Sequence, residues 1–178
     1  MTELGRGSRG GILAYLAIAA LLTAASLLPL NTVPRPWAAP DILLAVTAAW
    51  AARRPDTLPV LAVAGVFLMA DFLFQRPPGL FTALVLGLTE WLRSRAPALR
   101  RGSFPAEWAA VGAGIVAVAL LNRVVLDLAM TPQAPLGLTL IQILLTVALY
   151  PLIAGLAQIA FGLHRPAQGE VDNLGHRL

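Results

Sequence analysis

The chain has 178 residues, of which 58% are hydrophobic and only 12% are charged, and its mean hydropathy is +0.76. Soluble domains carry about a quarter charged residues, so this composition excludes an ordinary water-soluble globular domain. The absence of cysteine excludes disulfides, thiol catalysis, S-acylation and cysteine-ligated metal sites.

All thirteen basic residues are arginines, and against nine acids they give a net charge of +4. A basic chain can bind nucleic acid, but these arginines lie in short segments between apolar runs, which is typical of membrane topology. The two histidines, His164 and His176, lie at or beyond the end of the last apolar run. We therefore expect no histidine base or histidine-ligated metal in the membrane, and no catalytic residue or cofactor.

The first two apolar runs, residues 11–30 and 41–52, are separated by a proline-rich turn. The first follows the cationic stretch RGSRGG and resembles a signal peptide, but it stays apolar through LLPL, which favours a retained span. The second has only about a dozen residues where a span needs about twenty, although tilt and the flanking Trp50 would help it cross. Asp41 follows Pro40 at its start, where a carboxylate caps exposed backbone N–H groups.

The third and fourth runs, residues 58–74 and 80–92, are joined by the turn QRPPG, and Asp71 lies near the end of the third. After the fourth run comes the longest cationic segment, which we interpret as a cytoplasmic loop. Its arginines are Arg93, Arg95, Arg100 and Arg101. Such a loop either lies on anionic lipid, where each arginine contributes about 1 kcal/mol, or docks a cytoplasmic partner.

The fifth and sixth runs cover residues 108–130 and 136–163. Small residues in AVGAGIVAVA, within the fifth run, let helices approach closely, and we expect them to serve packing inside the domain rather than dimerisation. Pro151 interrupts the sixth run and predicts a kink. Arg123 and Asp127 lie one helical turn apart in the fifth run, so that the acid can neutralise the arginine.

Charge asymmetry between the loops favours six crossings with both termini in the cytoplasm, because cytoplasmic loops of membrane proteins are enriched in arginine. Ten arginines then lie inside, two lie outside and Arg123 lies within a span. If the two short runs do not cross, four spans remain, and nine arginines lie inside against three outside. The preferred interpretation is an all-α polytopic membrane protein of about six transmembrane helices. Residues 1–163 form its single domain, and residues 164–178 form a polar cytoplasmic tail.

Six crossings place four charged residues at similar depth in the outer half of the membrane. They are Asp41, Asp71, Arg123 and Asp127. An arginine at the membrane centre costs about 2.5–3.5 kcal/mol, so Arg123 needs partners. We expect this polar cluster to hold helices together or to meet a partner protein. A cavity open to a ligand is the alternative, and catalysis is disfavoured because no nucleophile and base converge.

Three segments share features with one family of membrane proteins. PDILLAVTAAWAARRP (40–55) opens with Pro-Asp and ends in a basic pair before proline, ADFLFQRPPGLFTAL (70–84) has an aspartate before a Pro-Gly-Leu turn, and LIQILLTVALYPLIAGLAQ (140–158) contains Tyr-Pro. Together they resemble MreD, the rod-shape-determining family of the bacterial inner membrane. The tail GEVDNLGHRL is similar to that of alphaproteobacterial members. Phe81 and Thr82 depart from the short side chain and histidine that this family has after the turn, and Arg123 with Asp127 has no counterpart in the resemblance.

The resemblance implies a non-enzymatic scaffold subunit of the cell-wall elongation complex, which supports cell shape and lateral peptidoglycan synthesis. It implies binding to the membrane protein MreC and, through MreC, a connection to MreB, RodZ, RodA and the transpeptidase of RodA. The family's fold is similar to that of S-components of energy-coupling-factor transporters. A substrate-binding subunit of a transporter is therefore the alternative function, although a shared fold does not transfer a substrate.

Overall fold

The computed structural model describes the backbone of residues 3–28 and 38–161 and the side chains of residues 9–28 and 38–159. The regular elements are six α-helices and one 3₁₀ turn between α2 and α3. They are α1 Glu3–Leu27, α2 Ile42–Arg53, the 3₁₀ turn Pro55–Thr57, α3 Val60–Leu73, α4 Leu80–Arg101, α5 Phe104–Leu128 and α6 Leu136–Phe161. The all-helical prediction is confirmed over these residues. The tail of residues 164–178, with both histidines, lies outside them.

Each predicted apolar run coincides with one helix, but three of the helices are longer than predicted, among them α5, which begins at Phe104 rather than at residue 108. Helix α1 begins at Glu3 rather than at residue 11, and α4 continues to Arg101 rather than ending at residue 92. The predicted cationic loop is therefore wrong: Arg93, Arg95, Arg100 and Arg101 all lie in α4. Alanine, leucine and arginine dominate this segment and favour helix, and Pro97 removes only one backbone hydrogen bond.

Three helices have the length and hydropathy to cross a membrane. The apolar segments are Arg9–Leu27 in α1, Phe104–Leu128 in α5 and Leu136–Ile159 in α6. Helices α2 and α3 are apolar but have only 12 and 14 residues. At 1.5 Å per residue they extend about 18 and 21 Å, which is less than the hydrocarbon thickness of a bilayer.

The short helix α2 lies at the centre of the bundle, where it packs against α1, α4, α5 and α6. Ten of its twelve residues are buried, and most of these are alanine or leucine. Because other helices surround α2, lipid does not dictate its length. Trp50, which the sequence suggested as a membrane-flanking residue, is instead a core residue with 1% exposure, and its indole N–H donates to Thr57 Oγ1 at 3.0 Å.

Helices α4 and α5 pack closely at Gly114. A Cβ atom on Gly114 would lie 2.3 Å from Leu88 Cδ1, a distance that no packing tolerates without a shift. Both Gly112 and Gly114 are buried, so the prediction of internal packing is confirmed for them. Ala113 and Ala117, from the same small-residue stretch, are exposed.

Consecutive helices run in opposite directions, so residues that are distant in sequence meet at the two ends of the bundle. The Arg53 end contains the last turn of α2, the 3₁₀ turn, the start of α5 and the last part of α6. The Arg123 end contains the last turns of α1, the start of α2, the α3–α4 turn and the α5–α6 connection. Nearly all the polar contacts discussed below lie at one of these ends.

Candidate functional site at the two polar ends of the bundle

A buried ion pair joins three helices at the Arg53 end. Arg53 Nε donates to Glu107 Oε1 at 2.8 Å, and the two side chains are 3% and 2% exposed. The same oxygen accepts a hydrogen bond from the hydroxyl of Tyr150 at 2.7 Å, and Arg53 Nη1 donates to the carbonyl of Ala154 at 2.8 Å. The ring of Phe104 lies 6.0 Å from the guanidinium carbon. We call Arg53, Glu107 and Tyr150 the inner network.

Sequence reasoning missed the inner network. Arg53 and Glu107 are the residues at which an apolar run stops or begins, so they were assigned to loops, and Tyr150 was noted only as the neighbour of Pro151. One signal was present in the sequence: Arg53 and Glu107, charges of opposite sign, each border an apolar run at the same predicted side of the membrane. The spacing of 54 residues between the partners gives no local pattern.

Pro151 is accommodated by a contact between helices. Proline has no N–H, so the carbonyl of Val147, four residues earlier, loses its helical partner. The indole N–H of Trp108, on α5, donates to this carbonyl at 2.8 Å. Helix α6 is assigned without interruption from Leu136 to Phe161.

At the Arg123 end, Asp41 acts as the predicted helix cap. Its Oδ1 accepts a hydrogen bond from the backbone N–H of Leu44 at 3.0 Å, which satisfies an N–H that the first turn of α2 leaves free. Its own N–H donates to Thr146 Oγ1 at 2.9 Å, which joins α2 to α6. The structural interpretation of Asp41 is confirmed.

Asp71 is fully buried and holds the start of α4. Its Oδ2 accepts from the backbone N–H of Gly79 at 3.1 Å, from that of Thr82 at 3.2 Å and from the Thr82 hydroxyl at 2.7 Å. Gly79 has φ +89°, which glycine adopts without steric cost. Thr82, one of the two departures from the family pattern, is thus the side-chain partner of Asp71. The other oxygen, Oδ1, is buried without a partner among the described residues.

The predicted pairing of Arg123 with Asp127 is wrong. Arg123 Nη1 donates to the carbonyl of Ala134 and to Thr139 Oγ1, both at 3.0 Å. The exposed Asp127 accepts instead from the side-chain amide of Gln133 at 2.6 Å. The α5–α6 connection folds back over the end of α5 and supplies Ala134 and Gln133, and the first turn of α6 supplies Thr139. An arginine that precedes its acid by four residues is also the weaker orientation for a helical pair.

Two of the four residues of the predicted polar cluster line a common cavity. Asp41 and Arg123 lie in the wall of a cavity of about 330 Å³ together with Arg76 and several amide and hydroxyl side chains. Asp71 and Asp127 do not line it. The four residues therefore do not form one cluster: they cap helices, hold the α5–α6 connection or line this cavity.

The comparisons with known proteins assign no relationship. Neither a family model, a curated protein nor a solved structure matches the chain. In residues 3–28 and 38–161, no three histidine, aspartate or glutamate side chains lie together as a metal site requires.

Proposed function

We propose that the chain is a non-enzymatic scaffold of the bacterial inner membrane, of the MreD type, which binds the transmembrane helix of MreC. Through MreC it would connect to MreB, RodZ, RodA and the transpeptidase of RodA and support lateral peptidoglycan synthesis. In this proposal all six helices cross the membrane, and both termini face the cytoplasm.

The distribution of arginines over the bundle supports this orientation. Among the arginines whose side chains the structure describes, seven lie at or beyond the Arg53 end: Arg9, Arg53, Arg54, Arg93, Arg95, Arg100 and Arg101. The other two of this set, Arg76 and Arg123, lie at the opposite end. An excess of arginine marks the cytoplasmic side of a membrane protein.

The use of the buried polar groups supports a structural role rather than a reaction centre. The carboxylates of Asp41 and Asp71 accept from the first N–H groups of helices. Oε1 of Glu107 accepts from both Arg53 and Tyr150. These groups stabilise the arrangement of helices, as a rigid binding platform requires.

The observation that carries the proposal is an apolar groove between α1 and α3. It has a volume of about 580 Å³, and its floor consists of small residues, including Ala20, Ala24 and Gly65. Helices in lipid associate through close packing, and small residues permit that approach. The groove extends from Leu16 to Leu27 along α1, about 17 Å at helical rise, which suits one side of a single transmembrane helix.

Filling the groove tests the proposal. A Cβ atom at Gly65 would meet no other atom within 4 Å, so Gly65→Leu occupies the groove without disturbing the bundle. We expect co-purification of MreC with the full chain from detergent-solubilised membranes to fall at least tenfold. That loss corresponds to about 1.4 kcal/mol of binding free energy.

Gly87→Leu is the matched control. Gly87 is also helical with no atom near its Cβ position, but it lies in a separate apolar groove between α4 and α5. Retention of MreC by Gly87→Leu and loss by Gly65→Leu would support the α1–α3 groove. Equal retention by both variants would remove this groove as the binding site, and failure of the unmodified chain to bind MreC would contradict the proposed function.

A further inference from the structure

The Arg123 end contains two adjoining cavities of different character. One, of about 330 Å³, is lined by charged and amide side chains, and we call it the polar cavity. The other, of about 470 Å³, is mainly apolar and lies between the last turns of α1 and the neighbouring parts of α2, α3 and α4; we call it the apolar cavity. Both cavities have Asp41, Arg76, Phe81 and Gln142 in their walls, so they meet along these residues.

The charges in the polar cavity favour an anion. Arg76 and Arg123 line it against a single acid, Asp41, among the described residues. The other polar side chains in the wall are uncharged and can donate or accept hydrogen bonds. They are Gln75, Asn122, Thr131, Gln133, Thr139 and Gln142.

Arg76 is held in place by two aromatic rings, and the charge of Asp41 in the same cavity wall also interacts with it, without forming an ion pair. Its guanidinium carbon lies 4.7 Å from the centroid of Phe81 and 5.2 Å from that of Phe74. Within the described residues its side chain donates no hydrogen bond. Stacking on these rings fixes the plane of the guanidinium and leaves its N–H groups available.

Arg123 also retains donors. Its hydrogen bonds to Ala134 and Thr139 both come from Nη1. A guanidinium carries five N–H groups on three nitrogens. Because both bonds use Nη1, Nε and Nη2 have no partner among the described residues. The bonds to Ala134 and Thr139 therefore orient the group and leave a fork of donors, the geometry that binds phosphate oxygens.

The apolar cavity extends the site away from the charges. Its wall includes Leu22, Leu43, Phe67 and Phe74, which offer no charge and no hydrogen bond from their side chains. A ligand that occupies both cavities therefore has an anionic part and an apolar part.

We propose that the Arg123 end binds a phosphate-bearing amphiphile, with its phosphate between Arg76 and Arg123 and its hydrocarbon in the apolar cavity. The chemistry recognised is the phosphate. It comes from an anionic phospholipid of the surrounding membrane or from a soluble phosphate, and the apolar cavity favours the phospholipid. The apolar cavity adjoins the α1–α3 groove proposed for MreC at Thr23, which lines both.

Binding of short-chain lipids to the purified full chain tests the proposal. Dihexanoyl phosphatidylglycerol, dihexanoyl phosphatidylcholine and glycerol phosphate are titrated separately, and the dissociation constant is measured by intrinsic tryptophan fluorescence and by microscale thermophoresis. We expect phosphatidylglycerol to bind at least tenfold more tightly than the other two. Equal binding of glycerol phosphate would assign the site to a soluble phosphate, which supports the anion site without the apolar part.

Three variants localise the binding. Arg76→Gln and Arg123→Gln each remove one guanidinium and are expected to weaken phosphatidylglycerol binding about tenfold, or 1.4 kcal/mol. Ala119→Leu keeps both charges and fills the polar cavity, of which Ala119 is a small wall residue. Arg95→Gln is the control, because Arg95 is an exposed arginine on α4 that stacks on Trp91 beyond the other end of the bundle.

The outcomes are distinguishable from loss of folding. Far-ultraviolet circular dichroism without ligand verifies that each variant keeps its helix content, and Ala119→Leu gives a second test if an arginine variant fails to fold. Loss of binding in Ala119→Leu and in either arginine variant, with Arg95→Gln unchanged, supports the site. Unchanged affinity in the folded variants, or equal loss in Arg95→Gln, overturns it.

Discussion

Removal of the charge of Glu107 is the sharpest perturbation of the inner network. Glu107→Gln keeps the shape of the side chain and an oxygen that accepts from Arg53 Nε and from the Tyr150 hydroxyl. It removes the negative charge that faces the guanidinium of Arg53 at 2.8 Å. The variant therefore leaves a buried arginine without its counter-charge.

The burial of both partners sets the magnitude of the effect. Arg53 and Glu107 are 3% and 2% exposed, so water does not replace the lost partner. Removing one member of a buried ion pair costs about 3–5 kcal/mol. Because glutamine retains the hydrogen bonds, we expect the lower end, about 3 kcal/mol of unfolding free energy. Replacing both charges in Arg53→Met plus Glu107→Leu should recover at least half of that loss, since well-packed apolar residues can substitute for a buried pair.

Equilibrium unfolding in mixed detergent and sodium dodecyl sulfate micelles, followed by far-ultraviolet circular dichroism, measures this free energy. Glu90→Gln is the matched control, because Glu90 pairs with Arg93 at 3.2 Å while their side chains are 48% and 31% exposed. Exposed pairs contribute about 0–1 kcal/mol. A loss in Glu107→Gln no larger than that in Glu90→Gln would refute the assignment of the inner network as a principal contributor to stability.

Two further predictions concern contacts that hold helix ends and helix kinks. Asp71→Ala removes three hydrogen bonds at the start of α4. We expect it to lower the unfolding free energy by about 1–3 kcal/mol in the same micelle titration. A loss below that of the exposed control Asp127→Ala would count against the capping role. Trp108→Phe leaves the carbonyl of Val147 without a donor, and we expect it to lower the unfolding free energy by about 1–3 kcal/mol. Pro151→Ala restores the missing backbone N–H, so Trp108→Phe should lower the unfolding free energy markedly less in that background.

The sequence predicted features that depend on local patterns. Six apolar runs located six helices, because a helix that is packed against other helices or lipid needs a continuous apolar segment. The capping role of Asp41 followed from its position after Pro40 and before the apolar run, and the hydrogen bond to Leu44 confirms it. Such predictions succeed because the interacting atoms are within a few residues of each other.

The predictions that failed concern the end of one helix and contacts between residues that are distant in the sequence. The end of α4 was misplaced because arginines were interpreted as loop residues, although this segment has high helix propensity. The partner of Arg123 was sought one helical turn away on α5, whereas Ala134 in the connection to α6 and Thr139 in the first turn of α6 are its partners. The inner network joins residues 43 and 54 positions apart, and only the packing of α2, α5 and α6 brings them together.

The claim on which the proposed function depends is that the two ends of the bundle face opposite sides of the membrane. Two exposed positions test it in this naturally cysteine-free chain: Asp56→Cys, in the 3₁₀ turn at the Arg53 end, and Gln75→Cys, in the α3–α4 turn at the Arg123 end. Labelling of intact cells with a membrane-impermeant maleimide should modify Gln75→Cys at once and Asp56→Cys only after the inner membrane is permeabilised. The reverse pattern would place the Arg53 end outside and contradict the proposed orientation, and labelling of both positions from the same side would contradict the account.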